Sequence, residues 1–166
     1  MVEISKLSSR FSVRRMDEND ADEILELCLG NTQFYEYCGR QPTKELILDD
    51  LRLTPSGKEL SDKYYVGFYD ENELVAVMDL VDGYPTSNCC FIGFFMMNKG
   101  LQGRGLGTEL IGEALACLKG FGFKTARLAI DKENPQSTHF WKKNGFIVIK
   151  EVERDGSPVL VAERKL

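Results

Sequence analysis

Within the stretch NKGLQGRGLGTEL at residues 98–110, the segment QGRGLGT places three alternating glycines between an apolar run and a helical pattern. A turn from strand to helix needs one glycine, and the alternation with Arg104 and Leu106 indicates that the backbone approaches a bulky anion. At a helix start the first N–H groups lack intrahelical partners and the helix dipole is positive. Residues 102–108, called the glycine loop below, therefore predict a phosphate cradle to which Arg104 adds charge. The glycines are Gly103, Gly105 and Gly107.

Two known phosphate-binding loops were compared with this stretch. The Walker loop is excluded because no Gly-Lys-Ser/Thr follows the glycines. The dinucleotide fingerprint is a closer rival, since Gly105 and Gly107 supply its first two glycines and Asp131 closes the next predicted strand. However, Leu110 stands where its third glycine belongs, and the loop follows at least three predicted strands instead of opening a βαβ unit. A dinucleotide site therefore ranks second.

A carboxylate within an apolar strand is the second candidate for chemistry. Asp79 interrupts the run ELVAVMDLV, which otherwise belongs in a core, and burial of an unpaired charge is costly. Apolar surroundings raise the pKa of a carboxyl group, which makes it a better general base and attracts a cation to it. The alternative is a structural role, in which Asp79 binds backbone amides or an arginine such as Arg14 or Arg15.

Length and composition predict one domain over residues 1–166, with 43% hydrophobic residues to build its core. The net charge of -5 argues against nucleic acid as a partner and suits a cationic small molecule or peptide. No apolar run resembles a membrane span or signal peptide, so we expect a cytoplasmic protein without membrane contact. The five cysteines lack CxxC spacing, which favours reduced thiols over disulfides or a metal site, and no metal is expected.

The patterning also predicts the elements that position these residues. Apolar runs and alternation predict strands, and apolar residues at helical spacing predict helices, in the order βααβββαβαββ. The predicted strands are FSVRRM, KYYVGFY, ELVAVMDLV, CCFIGFFMM, TARLAI, GFIVIK and VLVAERK. The four predicted helices are one ending at Gly30, one from its cap Thr43 through Leu53, one after the glycine loop ending near Gly120, and one capped by Asn134.

A longer constellation identifies a family. Gln102-x-x-Gly105-x-Gly107 after a buried strand, then Asn134, then FWKKNGF at 140–146, together resemble the GNAT superfamily of acetyl-CoA-dependent N-acetyltransferases. The resemblance covers residues 11–166 in element order. It implies a mixed α/β fold with a mostly antiparallel central sheet of about seven strands, flanked by four helices. It also implies a splay between the strand before the glycine loop and the next strand.

The resemblance implies a site for acetyl-CoA and roles for individual residues. The loop amides would hold the pyrophosphate, backbone groups of the preceding strand and Asn134 would meet the pantetheine arm, and two aromatic residues would line the far side of the thioester. By pattern alone Asn134 is a helix cap and the apolar residues are core. The implied pyrophosphate residues are Gln102, Gly103, Arg104, Gly105, Leu106, Gly107 and Thr108. The others are Phe95, Met96, Met97, Asn134, Phe140 and Trp141.

The acceptor and the proton-transfer groups are less defined. The resemblance implies an acceptor pocket between the first two predicted helices, at Phe34, Tyr35 and Tyr37, and Tyr84 follows the Asp79 strand. Many family members carry an acidic tyrosine where this sequence has Trp141, and indole has no proton to give at neutral pH. The general acid is therefore unassigned, and Asp79 is the candidate base.

The predicted function is transfer of an acetyl group from acetyl-CoA to a primary amine of a small molecule or peptide, by direct attack in a ternary complex. Two alternatives stay open at this point, a nucleotide-binding oxidoreductase and a CoA-binding sensor without turnover. A homodimer is possible.

Overall fold

The computed structural model describes residues 2–166 and contains seven strands in one sheet. The strands are β1 (Ser12–Arg15), β2 (Lys63–Asp70), β3 (Glu73–Asp82), β4 (Cys89–Met97), β5 (Thr125–Asp131), β6 (Ile147–Arg154) and β7 (Ser157–Lys165). Their order across the sheet is β1-β2-β3-β4-β5-β7-β6. Strands β4 and β5 run parallel and the other neighbouring pairs are antiparallel. The predicted mixed, mostly antiparallel sheet is therefore confirmed.

Five helices surround this sheet. They are α1 (Ala21–Leu29), α2 (Thr32–Cys38), α3 (Lys44–Arg52), α4 (Leu106–Gly120) and α5 (Pro135–Lys143). Two predicted caps are present, since Thr43 accepts a hydrogen bond from the Leu46 N–H at 3.3 Å and Asn134 accepts one from the Ser137 N–H at 2.9 Å. None of the helices in residues 2–166 has the length and apolar character that crossing a bilayer requires.

Helix α2 is the element that the sequence pattern did not predict. It is short and has no fully buried residue, so it lacks the apolar periodicity that predicts a helix. Tertiary contacts hold it instead: the Phe34 ring packs edge-on against Phe94 with centroids 6.0 Å apart, and the Cys38 thiol donates a hydrogen bond to the Asp131 carboxylate. The helix thus lies over the end of the sheet where β4 and β5 are no longer paired.

The sheet separates two apolar clusters, one on each face. On one face, α4 supplies Leu110, Ile111 and Leu118 to a cluster that also contains Trp141 of α5. On the other face, α1 and α3 pack against the first strands. Their contacts there include Ile24, Leu27, Ile47 and Leu51 against Tyr65 and Val77.

The pairing of β4 is irregular on both of its sides. It pairs with β5 only from Cys89–Thr125 to Ile92–Leu128, and its remaining residues are free of β5, which confirms the predicted splay. On its other side Ile92 pairs with Leu80 while Phe94 pairs with Asp79, so Gly93 is the extra residue of a β-bulge. A bulge bends the strand that carries it, and this bend lies at the start of the splay.

Candidate active site

A cleft of about 350 Å³ lies between the free end of β4, the glycine loop, α5 and the start of α2. Most of the residues that the sequence predicted for acetyl-CoA meet on its walls, although they come from four separate elements. These residues are Phe95, Met96, Met97, Gln102, Gly103, Gly105, Gly107, Thr108, Asn134, Phe140 and Trp141. The Arg104 side chain is exposed and Leu106 packs against the core, and neither lines the cleft.

The glycine loop has the backbone conformation that its glycines predict. Gly103 and Gly105 have φ angles of +77° and +83°, a region that side-chain-bearing residues avoid, and open space lies beyond both. The first rung of α4 joins the Glu109 N–H to the Gly105 carbonyl at 3.1 Å. The N–H groups of the three preceding helix residues therefore lie before the first rung, at the positive end of the dipole.

Gly107 serves packing more than ligand access. A Cβ atom at this position would lie 2.9 Å from the Met97 Sδ and 3.2 Å from the Phe140 ring. These distances are too short for ordinary contact, so a side chain at this position would displace the Met97 thioether, the Phe140 ring or α4 itself. The absence of a side chain lets the first turn of α4 approach both walls of the cleft.

The aromatic wall of the cleft is a packed cluster around Trp141. The indole lies 5.1 Å from Phe140, 5.2 Å from Phe146 and 6.1 Å from Phe95, each measured between ring centroids and each with edge-to-face geometry. Trp141 is 7% exposed. These contacts fix the position of α5 against β4, and they place no acidic proton there.

Asp79 is buried and paired with a lysine. The residue is 8% exposed, and its Oδ2 atom lies 2.6 Å from the Lys63 Nζ, so the expected alternative of an arginine partner is wrong. Arg14 binds Asp20 instead. The Asp79 Oδ1 atom is buried without a hydrogen-bond partner in residues 2–166. Burial raises the pKa of Asp79 to about 6, although the Lys63 ammonium lowers it.

The carboxylate of Asp79 lies beside the bulge of β4. A Cβ atom at Gly93 would be 2.5 Å from the Asp79 Oδ2, so only glycine leaves room for this side chain. Gly93 is also the first residue of β4 beyond its pairing with β5. Asp79 is not among the residues that line the cleft, but it reaches the strand where the splay begins.

The four residues predicted for the acceptor do not lie together. Phe34 lines the cleft, and Tyr35 packs edge-on behind it with ring centroids 5.1 Å apart. Burial raises the pKa of the Tyr35 phenol well above its usual range, so this hydroxyl stays protonated. Tyr37 is half-buried and is not part of the cleft wall. Tyr84 lies at the turn after β3, with its ring 5.5 Å from Phe91.

Several polar residues of the cleft escaped the sequence analysis. They flank the predicted residues but belong to no motif, and the one histidine among them, His139, is exposed. Their identity follows only from the fold, which brings the start of α2 to the glycine loop. The additional lining residues are Asn31, Gln33, Lys99, Gln136, Ser137, His139 and Lys143.

The cysteines are not activated as nucleophiles. All five are free thiols, and burial raises the pKa of Cys28 to about 11 and that of Cys38 to about 12. The pKa values of Cys89, Cys90 and Cys117 are also raised, chiefly by burial. A catalytic cysteine needs the opposite shift. Within residues 2–166, no group of three or more His, Cys, Asp or Glu residues could hold a metal ion.

Comparison with known proteins identifies the family. A sequence model of the acetyltransferase (GNAT) family matches residues 25–146, and the chain belongs to this family. The mostly antiparallel sheet and this membership exclude the dinucleotide-binding alternative. A comparison with curated protein sequences gave no match.

Solved structures with the same fold share little sequence with this chain. An acetyltransferase from Thermus thermophilus is 21% identical, with a TM-score of 0.74 over 94% of this chain and 97% of the other. RimL, a ribosomal L7/L12 alpha-N-protein acetyltransferase, is 17% identical, with a TM-score of 0.75 over 100% and 96%. The structure of AAC(6')-Ib in complex with ribostamycin and coenzyme A is 16% identical, with a TM-score of 0.72 over 95% and 94%.

Proposed function

We propose that this protein transfers the acetyl group of acetyl-CoA to a primary amine of a small molecule or peptide. The observation that carries the proposal is the glycine loop, which lines a cleft at the splayed end of β4 and contains two glycines with positive φ angles and open space in front of them. Family membership supports the same chemistry. Structural relatives include a protein acetyltransferase and a complex with an aminoglycoside, so both peptide and small-molecule amines are candidate acceptors.

The residues of the cleft fit acetyl-CoA. The loop amides from Gly103 to Thr108 would bind the diphosphate, because they precede the first hydrogen-bonded rung of α4, at the positive end of its dipole. The free end of β4 offers backbone groups to the pantetheine arm. The side-chain oxygen of Asn134 caps helix α5, so its side-chain amide N–H groups would be the donors to a bound molecule. Phe140 and Trp141 would shield the thioester from water.

The reaction that we propose needs no enzyme-bound intermediate. The neutral amine attacks the thioester carbonyl carbon, the C–N bond forms, and the C–S bond breaks to release the CoA thiolate. Asp79 would accept, through water, the proton that the incoming ammonium loses, since its pKa is raised and it lies beside Gly93 at the start of the splay. The thiolate of CoA has a conjugate acid with a pKa of about 8.5 in model thiols, so it leaves without a dedicated acid and takes up the second proton, which the amine nitrogen loses as the amide forms.

The acceptor would enter from the side of α2. Phe34 is the predicted acceptor residue that lines the cleft, and it packs on Phe94, the residue paired with Asp79. An amine that reaches the splay from this side passes the aromatic pair before it meets the thioester. The free thiols of the chain suit the reducing compartment in which acetyl-CoA is available.

A thiol-release assay across a panel of amines tests this proposal. The panel should include monoamines, polyamines, an aminoglycoside, amino acids and short peptides with free N-termini, and mass spectrometry should follow each product. Release of CoA that depends on an amine, with a product heavier by one acetyl group, supports the proposal. Tight CoA binding without turnover of any amine would favour a CoA-binding sensor. This alternative is suggested by Trp141, which stands where many family members have a tyrosine that can donate a proton.

A further inference from the structure

Two side-chain amides form a buried bridge beside the glycine loop. The Asn31 Nδ2 donates hydrogen bonds to the Leu27 carbonyl at 2.9 Å and to the Met97 carbonyl at 3.0 Å. The Gln102 Nε2 donates to the Asn31 Oδ1 at 2.7 Å and to the same Met97 carbonyl at 3.2 Å. Asn31 is 5% exposed, although it lies at the start of α2. We call Asn31 and Gln102 the amide bridge.

The amide bridge joins three parts of the molecule that are distant in sequence. Leu27 belongs to the last turn of α1, Met97 ends β4, and Gln102 opens the glycine loop. The Met97 carbonyl has two lone pairs and receives two donors, so the bridge satisfies it completely. The bridge therefore fixes the direction in which the chain passes from the end of β4 into the glycine loop.

We propose that Asn31 is a positioning residue for the diphosphate of CoA. It acts through Gln102, which it holds directly before Gly103, so that the loop amides face the cleft before the cofactor arrives. This inference rests on the placement of CoA in the proposed function. The family motif assigns Asn31 no role, and the sequence around α2 has no helical pattern that would mark it.

The physical reason is preorganisation. A glycine-rich loop has many accessible conformations, and a ligand that must order it loses that conformational free energy from its binding. The bridge removes this cost in the free protein, because buried hydrogen bonds to a fixed strand end restrict the residue before the glycines. Loss of the bridge should therefore weaken the binding of ligands that use the loop amides and spare ligands that do not.

The test compares CoA with pantetheine, which lacks the diphosphate, in titrations of wild type and Asn31→Ala. We expect the CoA dissociation constant of Asn31→Ala to rise about tenfold, and that of pantetheine to change less than twofold. Gln102→Met, which keeps the chain length but removes the amide, should show the same selective loss. If Asn31→Ala does not fold, Asn31→Ser is the second variant, because serine is favoured at a helix start but its side chain is too short to form the bridge.

The double variant tests whether the two amides act as one unit. In Asn31→Ala/Gln102→Met the loss of CoA affinity should be clearly smaller than the product of the two single losses, because the bond between Asn31 and Gln102 is already lost in either single variant. The matched control is Ser8→Ala, which removes a buried hydroxyl bonded to Glu113 at 2.7 Å in another part of the fold. Its CoA affinity should stay within twofold of wild type.

Three results would overturn the inference. Equal losses for CoA and pantetheine would indicate a general distortion of the cleft, and unchanged CoA affinity in folded Asn31→Ala would leave the bridge a purely structural role. Independent losses that multiply in the double variant would separate Asn31 from Gln102. Failure of the wild-type protein to bind CoA is a different outcome, since it rejects the cofactor placement itself before any variant is compared.

Discussion

Asp79 is subject to two opposing influences on its ionisation. Burial favours the neutral acid, while the Lys63 ammonium at 2.6 Å favours the carboxylate. Burial has the larger effect, so the pKa of Asp79 is raised to about 6. A base with this pKa is mostly ionised at neutral pH and still binds a proton better than an exposed aspartate. This balance depends on Gly93, whose missing side chain makes room for the carboxylate.

Replacement of Asp79 by Asn tests its role as the base. The amide keeps the shape of the side chain and an oxygen for Lys63 but cannot take up a proton at neutral pH. We expect CoA affinity to stay within twofold and turnover to fall by about 10²–10⁴-fold, with a smaller loss at high pH where the free amine is abundant. The measurement is kcat/KM against pH with an acceptor found in the panel. An unchanged profile would make Asp79 structural.

The same carboxyl group makes stability depend on pH. Because its pKa is raised on folding from about 4 to about 6, the folded state binds the proton more tightly than the unfolded state in this window. Its contribution to the free energy of unfolding should therefore fall as pH rises from 4 to 6 and stay constant above that. Urea unfolding of wild type and Asp79→Asn at several pH values measures this, and a difference between them that is constant with pH would contradict it.

A glycine-to-alanine substitution should have opposite effects on stability in the β4 bulge and in the interior of α4. Gly93→Ala puts a methyl group 2.5 Å from the Asp79 Oδ2, so we expect a loss of about 1–3 kcal/mol in the free energy of unfolding and reduced turnover. Gly112 lies within α4 with open space around it, so Gly112→Ala should stabilise the protein by about 1 kcal/mol without affecting turnover. Denaturant unfolding distinguishes the pair, and a stable Gly93→Ala would show that Asp79 is free to move.

Local signals in the sequence were enough to predict most elements. The caps Thr43 and Asn134, the apolar strands and the glycine loop are each specified by neighbouring residues, and the structure has them where the pattern predicts. Helix α2 was missed because its stability comes from contacts with β4 and β5 and not from its own periodicity. An element without an apolar stripe has no sequence signature of the usual kind.

The parts of the site that were missed depend on contacts between distant segments. Asn31 binds residues 66 and 71 positions further along the chain, and no spacing rule relates such residues. Lys63 and Asp79 meet because they lie on adjacent strands, and their pairing depends on a register that the sequence alone leaves open. Asp79 was recognisable as an unusual charge, but its partner was not.

In the proposed complex, two ligands would meet from two sides of the splay. Acetyl-CoA would lie between the glycine loop and α5, and the acceptor would enter beside α2, so both can be bound at once. With every cysteine pKa raised by burial, we expect no acetyl-enzyme and intersecting lines in initial-rate plots with both substrates varied. Parallel lines, or an acetylated cysteine formed without acceptor at a rate that matches turnover, would show a two-step transfer.

The central claim is that the glycine loop binds the diphosphate of acetyl-CoA, and calorimetric titration of CoA into wild type and Gly105→Val tests it most directly. Valine at a φ of +83° is strained by roughly 1–2 kcal/mol, and its side chain would fill the open space in front of the amides. We predict that wild type binds CoA, that folded Gly105→Val binds it at least tenfold more weakly, and that Arg104→Ala loses less because the amides remain. Equal CoA affinity in wild type and folded Gly105→Val would contradict the account.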